Sequence, residues 1–373
     1  MLVITLLMVP VIPSGIGQTD TSAKTISVYE LTTRGNLDKP AVDVVPNFGY
    51  QNKYRLNNTE ELYRNCPSEV AIIVHGWGIN ENKAIERFDR VKMSLENNSY
   101  SIPIVGFSWG SDTEWSAAKS IAKWNGPKLA DFIYNLTNIC DQQQQQQEDK
   151  NETKIRLIGH SLGSRVILSS LDSLHKNSNW NNNNFTIASV HLMGAAVDNE
   201  EVSKNPKDIL NDRTNWGTLK SDYGEAIQNE VIRFYNLFNP KDKAFEPNST
   251  NPFSPFQVYP SFEGDLALGQ NGSQIFPNGS QIIPNITLPT NYVQTDVQNE
   301  IRFIRDADMD GFCDVGFFDL YNAKTFICTI NGVGDNHGGY FGFRANNTRL
   351  EDDGAMNVVV NDWKSETPKI NQD

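Results

Sequence analysis

Ile155-Arg156-Leu157-Ile158-Gly159-His160-Ser161-Leu162-Gly163 is a short apolar run ending in G-x-S-x-G, and it leads into the helix-like stretch Arg165-Val166-Ile167-Leu168-Ser169-Ser170-Leu171. The glycines have a steric reason. A serine lifted on a sharp strand-to-helix turn adopts a strained backbone, and only small neighbours avoid a clash there. The turn exposes the serine Oγ at the top of a parallel sheet and aims the helix N-terminus at a reacting carbonyl. A bare pentapeptide of small residues arises by chance; at a strand–helix junction it marks Ser161 as a candidate nucleophile. The competing reading is a tight packing turn.

A serine nucleophile needs a histidine base, and the chain has five: His75, His160, His175, His191 and His337. His160 belongs to the turn itself, where the neighbour of the nucleophile points away from it. His191 lies in the apolar run Ile187–Met193 and reads as a core residue. His175 closes the helix after Ser161. His75 opens His75-Gly76-Trp77-Gly78, directly after the apolar run Val70-Ala71-Ile72-Ile73-Val74. His337, in Gly334-Asp335-Asn336-His337-Gly338-Gly339-Tyr340, sits late on a glycine-rich loop, as the order Ser…Asp…His requires.

Val74-His75-Gly76-Trp77, Gly106-Phe107-Ser108-Trp109-Gly110, the helix around Ala118–Ile133 and the Ser161 turn together resemble α/β-hydrolases. Among these the chain is most similar to pancreatic-lipase-like esterases, over roughly residues 68–245. The resemblance implies an α/β-hydrolase fold, a mostly parallel sheet with helices on both faces. It also implies an oxyanion hole built from backbone N–H groups, here those of Trp77 and Leu162. Glycine lets such a donor approach the developing alkoxide.

In pancreatic-lipase-like enzymes the triad aspartate follows the strand after the elbow helix, which would be Ile187–Gly194. The nearest candidate is Asp198, too far beyond Gly194 for that family's short G-x-D turn. Other α/β-hydrolases place the acid one strand later. That strand is Val231–Phe238, followed by Asn239-Pro240-Lys241-Asp242. An aspartate there reaches over the carboxyl edge of the sheet, where ligands bind in open α/β sheets. Asp242 is the favoured acid and Asp198 the alternative.

The formal net charge is −13 over 373 residues, which argues against nucleic acid or an anionic membrane as partner. The apolar start, Met1 to Val11, is broken by proline and short for a stable transmembrane span. It reads as a signal peptide over 1–17, although no Lys or Arg precedes the apolar stretch. Ten N-x-S/T sequons (Asn57, Asn97, Asn135, Asn151, Asn184, Asn248, Asn271, Asn278, Asn285 and Asn346) fit a glycosylated, secreted or cell-surface protein. In that compartment the four cysteines allow two disulfides. Cys313 and Cys328 flank one loop and are paired here, leaving Cys66 with Cys140.

Strand-like stretches at Thr25–Leu31 and Ala41–Val45 lead the sheet. Helices are expected over Asn82–Asn97, over Thr113–Thr137 with a kink or a split into two helices at Gly126-Pro127, and over Met356–Trp363. Gln142–Gln147 reads as a low-complexity surface loop. The organisation is thus a signal over 1–17 and a hydrolase core over 18–245. An irregular insertion over 246–330 precedes the histidine loop and last helix of the core, 331–373. The insertion carries a seven-residue duplication, Asn271–Pro277 and Asn278–Pro284, punctuated by Asn-Gly turns. Residues 265–290 are either a lid over the serine or a tolerated surface insertion.

Asp306-Ala307-Asp308-Met309-Asp310-Gly311-Phe312-Cys313-Asp314 has the D-x-D-x-D-G-x-x-D spacing of calcium loops. Asp306, Asp308, Asp310, Phe312 and Asp314 are the candidate ligands. The loop departs from the EF-hand at its last position, where Phe317 replaces a bidentate Glu. A structural Ca2+ is expected, against a solvated acidic turn, and no cofactor for catalysis. The expected function is cleavage of small or lipid acyl esters by a secreted serine hydrolase through an acyl-enzyme. Amide or peptide cleavage by the same residues, or a non-catalytic surface glycoprotein on this fold, are the alternatives. Oligomeric state is not legible in the sequence.

Overall fold

β3 (Glu69–Val74) is buried from Val70 to Val74 without alternation, as in a parallel strand covered by helices on both faces. The computed structural model describes residues 26–35, 54–57, 60–145, 153–204, 222–245, 267–273, 287–301, 318–319, 324–325, 337–342 and 352–365. Within them β3 is the fourth member of an eight-stranded sheet. The other strands are β1 (Val28–Thr32), β2 (Arg55–Asn57), β4 (Ile104–Ser108), β5 (Lys154–His160), β6 (Ile187–Met193), β7 (Val231–Phe238) and β8 (Tyr292–Asp296). Their order is β2-β1-β4-β3-β5-β6-β7-β8. Only the β1–β2 pair is antiparallel. The mostly parallel α/β fold expected from the sequence is the one adopted.

Alternation along the strands sorts side chains into two cores. Val70, Ile72, Val74, Ile155, Leu157, Val190 and Leu192 share a cluster with Leu62 of α1 (Glu60–Asn65) and residues of α3 (Trp115–Gln144) and α4 (Gly163–His175). Ala71, Ile73, Ile158 and Met193 face α2 (Glu81–Asn97) and the C-terminal helix Met356–Ser365. In that last helix Met356, Val359, Val360 and Trp363 are fully buried, and each such side chain contributes roughly 1.5–3 kcal/mol. Arg156 on β5 pairs with Glu69, donates to Ser189 Oγ at 3.1 Å and lies over the Trp363 ring. His191 is a core residue, stacked on Tyr235 with centroids 4.5 Å apart and joined to Asp362 Oδ2 at 3.2 Å.

The chain does not split into two helices at Gly126-Pro127: α3 runs through Pro127 and includes the first glutamines of the expected loop. Proline at 127 removes the N–H that would bond the Lys123 carbonyl. Ser169 Oγ on α4 donates to that carbonyl instead, at 2.9 Å. A Cβ at Gly126 would stand 2.4 Å from Ser169 Cβ, so the helices meet closely enough for the replacement bond. A partner from the neighbouring helix thus rescues a helix that local rules would end.

Cys66 and Cys140 form a disulfide, with Cα atoms 5.2 Å apart. Closing a loop of 74 residues contributes roughly 4 kcal/mol in the chain-entropy account. Two parts of the 246–330 stretch belong to the sheet region. Tyr292–Asp296 is β8, and Ala267–Ser273 is docked across the strand ends. Leu268 and Gly269 N–H groups donate to the Val197 and Ala195 carbonyls, each at 2.9 Å, and Ala267 bridges Asp198. Residues 1–17, Ala41–Val45, Asp306–Asp314, Cys313, Cys328, Gly334–Asn336 and most of the duplication lie outside the described residues.

Candidate active site

β5 ends at His160, and the next residue, Ser161, has φ +52°. That left-handed conformation costs a non-glycine residue on the order of 1 kcal/mol or more, and three backbone bonds hold it. Ser161 N–H donates to the Met193 carbonyl at 3.0 Å, while its own carbonyl accepts from Ala196 and Ser164, each at 3.1 Å. α4 starts immediately at Gly163. A Cβ there would sit 2.5 Å from the Val74 carbonyl oxygen and 2.6 Å from that of His75. The motif's last glycine therefore lets the elbow press against the end of β3.

The loop after β3 lies directly on the serine. A Cβ at Gly76 would stand 2.7 Å from Ser161 Cβ. Buried His75 anchors this loop. Its ring stacks on Trp109 with centroids 5.6 Å apart. Nε2 accepts from Trp109 N–H at 3.1 Å and from the Arg34 guanidinium at 3.2 Å, while Nδ1 lies 2.9 Å from the Gly76 carbonyl. Two donors on Nε2 assign the proton to Nδ1. Burial, and secondarily the Arg34 charge, hold the His75 pKa well below the usual histidine range. Arg34 also bonds Ser108 Oγ, Asp112 Oδ1 and the Ile79 carbonyl, so it ties β1, β4 and this loop together. Nothing in the spacing of residue 34 could have signalled that role.

Trp77, next in the loop, donates from Nε1 to the Thr113 carbonyl at 2.7 Å and meets Trp115 edge to face at 5.2 Å. Leu162 lies between the serine and Gly163, the first residue of α4. Of the two backbone donors singled out in the sequence, Leu162 follows Ser161 at the start of α4, and Trp77 follows Gly76, the loop residue that lies against Ser161.

His337 opens a 3-10 turn, His337–Phe341, and is buried. Its Nδ1 is 2.7 Å from Asp242 Oδ2. Asp242 follows β7 as expected, is fully buried, and accepts the Ala244 N–H on its other oxygen at 3.0 Å. Tyr340 Oη lies 3.4 Å from Asp242 Oδ2 and 3.4 Å from the Gly269 carbonyl. Burial first, and the Asp242 charge next, push the Tyr340 pKa well above its usual value. Gln270 Nε2 donates to the Asp242 carbonyl at 3.1 Å. The docked segment thus braces the acid loop. Asp198 meets this region through its backbone bridge to Ala267; the carboxylate on His337 Nδ1 is that of Asp242.

His337 also reaches the elbow. Its ring centroid is 4.7 Å from that of His160, and its carbonyl is 2.8 Å from His160 Nε2. Phe245 packs edge-on against the His337 ring at 5.1 Å. Ser161, His337 and Asp242, from three separate segments, therefore stand at one edge of the sheet. The family model "Alpha/beta hydrolase of unknown function (DUF900)" matches residues 51–244. The chain belongs to that family. The matched region of this hydrolase holds the β3 loop, the elbow and Asp242, and stops before His337.

No curated protein matches the hydrolase. Among solved structures it is similar to Aspergillus fumigatus lipase B, at 10% identity, covering 64% of this chain and 47% of that one, with a TM-score of 0.33. It is also similar to phospholipase PlaB from Legionella pneumophila, at 13% identity, 61% and 52% coverage and a TM-score of 0.31. A third is a thermostable carboxyl esterase from Bacillus coagulans in complex with glycerol, at 13% identity, 52% and 76% coverage and a TM-score of 0.24. The chain spans about half the length of the first two structures. Among the described residues no helix is long and apolar enough to cross a membrane, and no cluster of three metal-ligating side chains occurs.

Proposed function

We propose that this α/β-hydrolase cleaves carboxylic esters through a Ser161–His337–Asp242 triad, with Trp77 and Leu162 N–H groups as the oxyanion hole. The observation that carries the reading is the Asp242–His337 hydrogen bond of 2.7 Å, on a loop tied through the His337 carbonyl to His160, the neighbour of a serine held at φ +52°. His337 Nε2 accepts the Ser161 proton as Oγ attacks the acyl carbon. Asp242 stabilises the imidazolium without taking the proton. The two N–H groups stabilise the alkoxide of the tetrahedral intermediate. Nε2 then protonates the leaving alcohol, and water repeats the sequence to release the acid.

An ester carrying an apolar acyl group fits the Trp77–Trp115 pair beside the oxyanion loop. The acid after β7 rather than β6 sets the site apart from the pancreatic-lipase-like pattern, so a narrower kinship to that group is not part of the proposal. Secretion, glycosylation and a structural Ca2+ at Asp306–Asp314 are proposed with it. The Cys66–Cys140 bond supports an oxidising compartment. The test is a fluorophosphonate probe together with a panel of p-nitrophenyl esters. Labelling at Ser161 and ester turnover, both lost in Ser161→Ala, are expected. Labelling that survives Ser161→Ala would remove the proposal.

A further inference from the structure

His160 is the last residue of β5, and strand alternation turns its side chain away from Ser161. It does not leave the site. The ring is buried among His337, Phe341 and Tyr340, with centroids at 4.7, 5.1 and 5.9 Å. Its Nε2 is 2.8 Å from the His337 main-chain oxygen. A carbonyl only accepts, so Nε2 carries the proton and Nδ1 keeps a bare lone pair. Nδ1 is buried without a hydrogen-bond partner and faces the β3 loop, where a Cβ at Gly76 would lie 3.2 Å away. One imidazole is thus wedged among the elbow, the oxyanion loop and the histidine loop.

We propose that His160 is a positioning residue of the hydrolytic site, a neutral donor that tethers the His337 backbone and so sets the His337 ring against Ser161. The inference rests on the serine-hydrolase reading above. The tether joins residues 177 positions apart, and a buried carbonyl needs a donor wherever His337 is to stand. Neutrality is part of the role. His337 becomes a cation during acyl transfer, and a second cation with its ring centre 4.7 Å away would oppose that charge. Burial first, then His337, Arg87 and Arg90, hold His160 well below the usual histidine pKa, against the opposing pull of the carbonyl bond. A hydrophobic residue would fill the space without supplying the donor.

The experiment compares the full-length wild type with His160→Gln, which keeps an uncharged donor, and His160→Leu, which does not. The downfield proton resonance of the His337 Nδ1–H on Asp242, identified by its loss in Asp242→Asn, reports the histidine position without turnover. The rate of Ser161 labelling by a fluorophosphonate reports reactivity. In His160→Gln both should stay close to wild type. In folded His160→Leu the resonance should shift or broaden and labelling should slow by roughly 100-fold, the cost of a small misplacement of a reacting group. Wild-type values for both in His160→Leu overturn the proposal. If His160→Leu does not fold, a folded His160→Gln that loses the resonance and the labelling overturns it equally. A wild type that never labels, with a resonance that still follows the variants as expected, overturns the triad reading and leaves the tether.

Discussion

Asp242 Oδ2 accepts from His337 Nδ1 at 2.7 Å across 95 residues of sequence. Asp242 is also gripped from outside the pair, by the Ala244 N–H on its other oxygen and by the Tyr340 hydroxyl. Asp242→Asn preserves shape while favouring the wrong histidine tautomer, so a loss of roughly 10⁴-fold in kcat is expected. Asp198→Asn should leave kcat near wild type once both variants are matched for folded fraction by circular dichroism. The reverse ranking would transfer the acid role to Asp198.

Gly76 carries a separate expectation. Alanine there would put a methyl 2.7 Å from Ser161 Cβ, so the loop must retreat from the serine. Losing the alignment of one oxyanion donor should cost roughly 10²–10³ in kcat. Ester kinetics of Gly76→Ala check this, with thermal unfolding to confirm that the fold persists. Unchanged kcat would mean that the loop takes no part in the reaction.

Stability should fall on mild acidification. His75 and His160 are buried and neutral, with pKa values held below the usual range chiefly by burial. In the unfolded chain each titrates near about 6.5. Below that pH the unfolded state binds protons that the folded state rejects. Their contribution is therefore complete above about pH 6.5 and is lost as pH falls toward the folded pKa values. Each histidine adds a slope of at most about 1.4 kcal/mol per pH unit. Urea midpoints measured through this range should show the decline, with a shallower slope in His160→Gln. Equal slopes for the two proteins would contradict it.

Calcium is expected to act on stability alone. A ligand that binds only the folded state raises the melting temperature with its concentration. The midpoint should climb over the range of about 10⁻⁴–10⁻³ M typical of extracellular calcium modules and drop with chelator. The response should vanish in Asp308→Ala/Asp310→Ala. A flat titration leaves Asp306–Asp314 as a solvated acidic turn.

The elbow, its strand and its helix were legible in sequence because each depends on local rules. Apolar runs such as Val70–Val74 need cover on both faces, and a serine between two glycines at a strand end has few other uses. The β7 strand likewise pointed to Asp242. Other features required the folded chain. Pro127 reads as a helix break until Ser169, 42 residues away, supplies the missing bond to Lys123. β8 was hidden inside an irregular stretch because Tyr292–Asp296 is an exposed edge strand with little apolar signal. Arg34 and His160 looked incidental, since polar side chains acquire meaning only from what long-range packing sets beside them. Local chemistry in this chain fixes the elbow and the order of the candidate groups. Their register with one another comes from loops brought together by the sheet, a non-local relation that no spacing along the chain encodes.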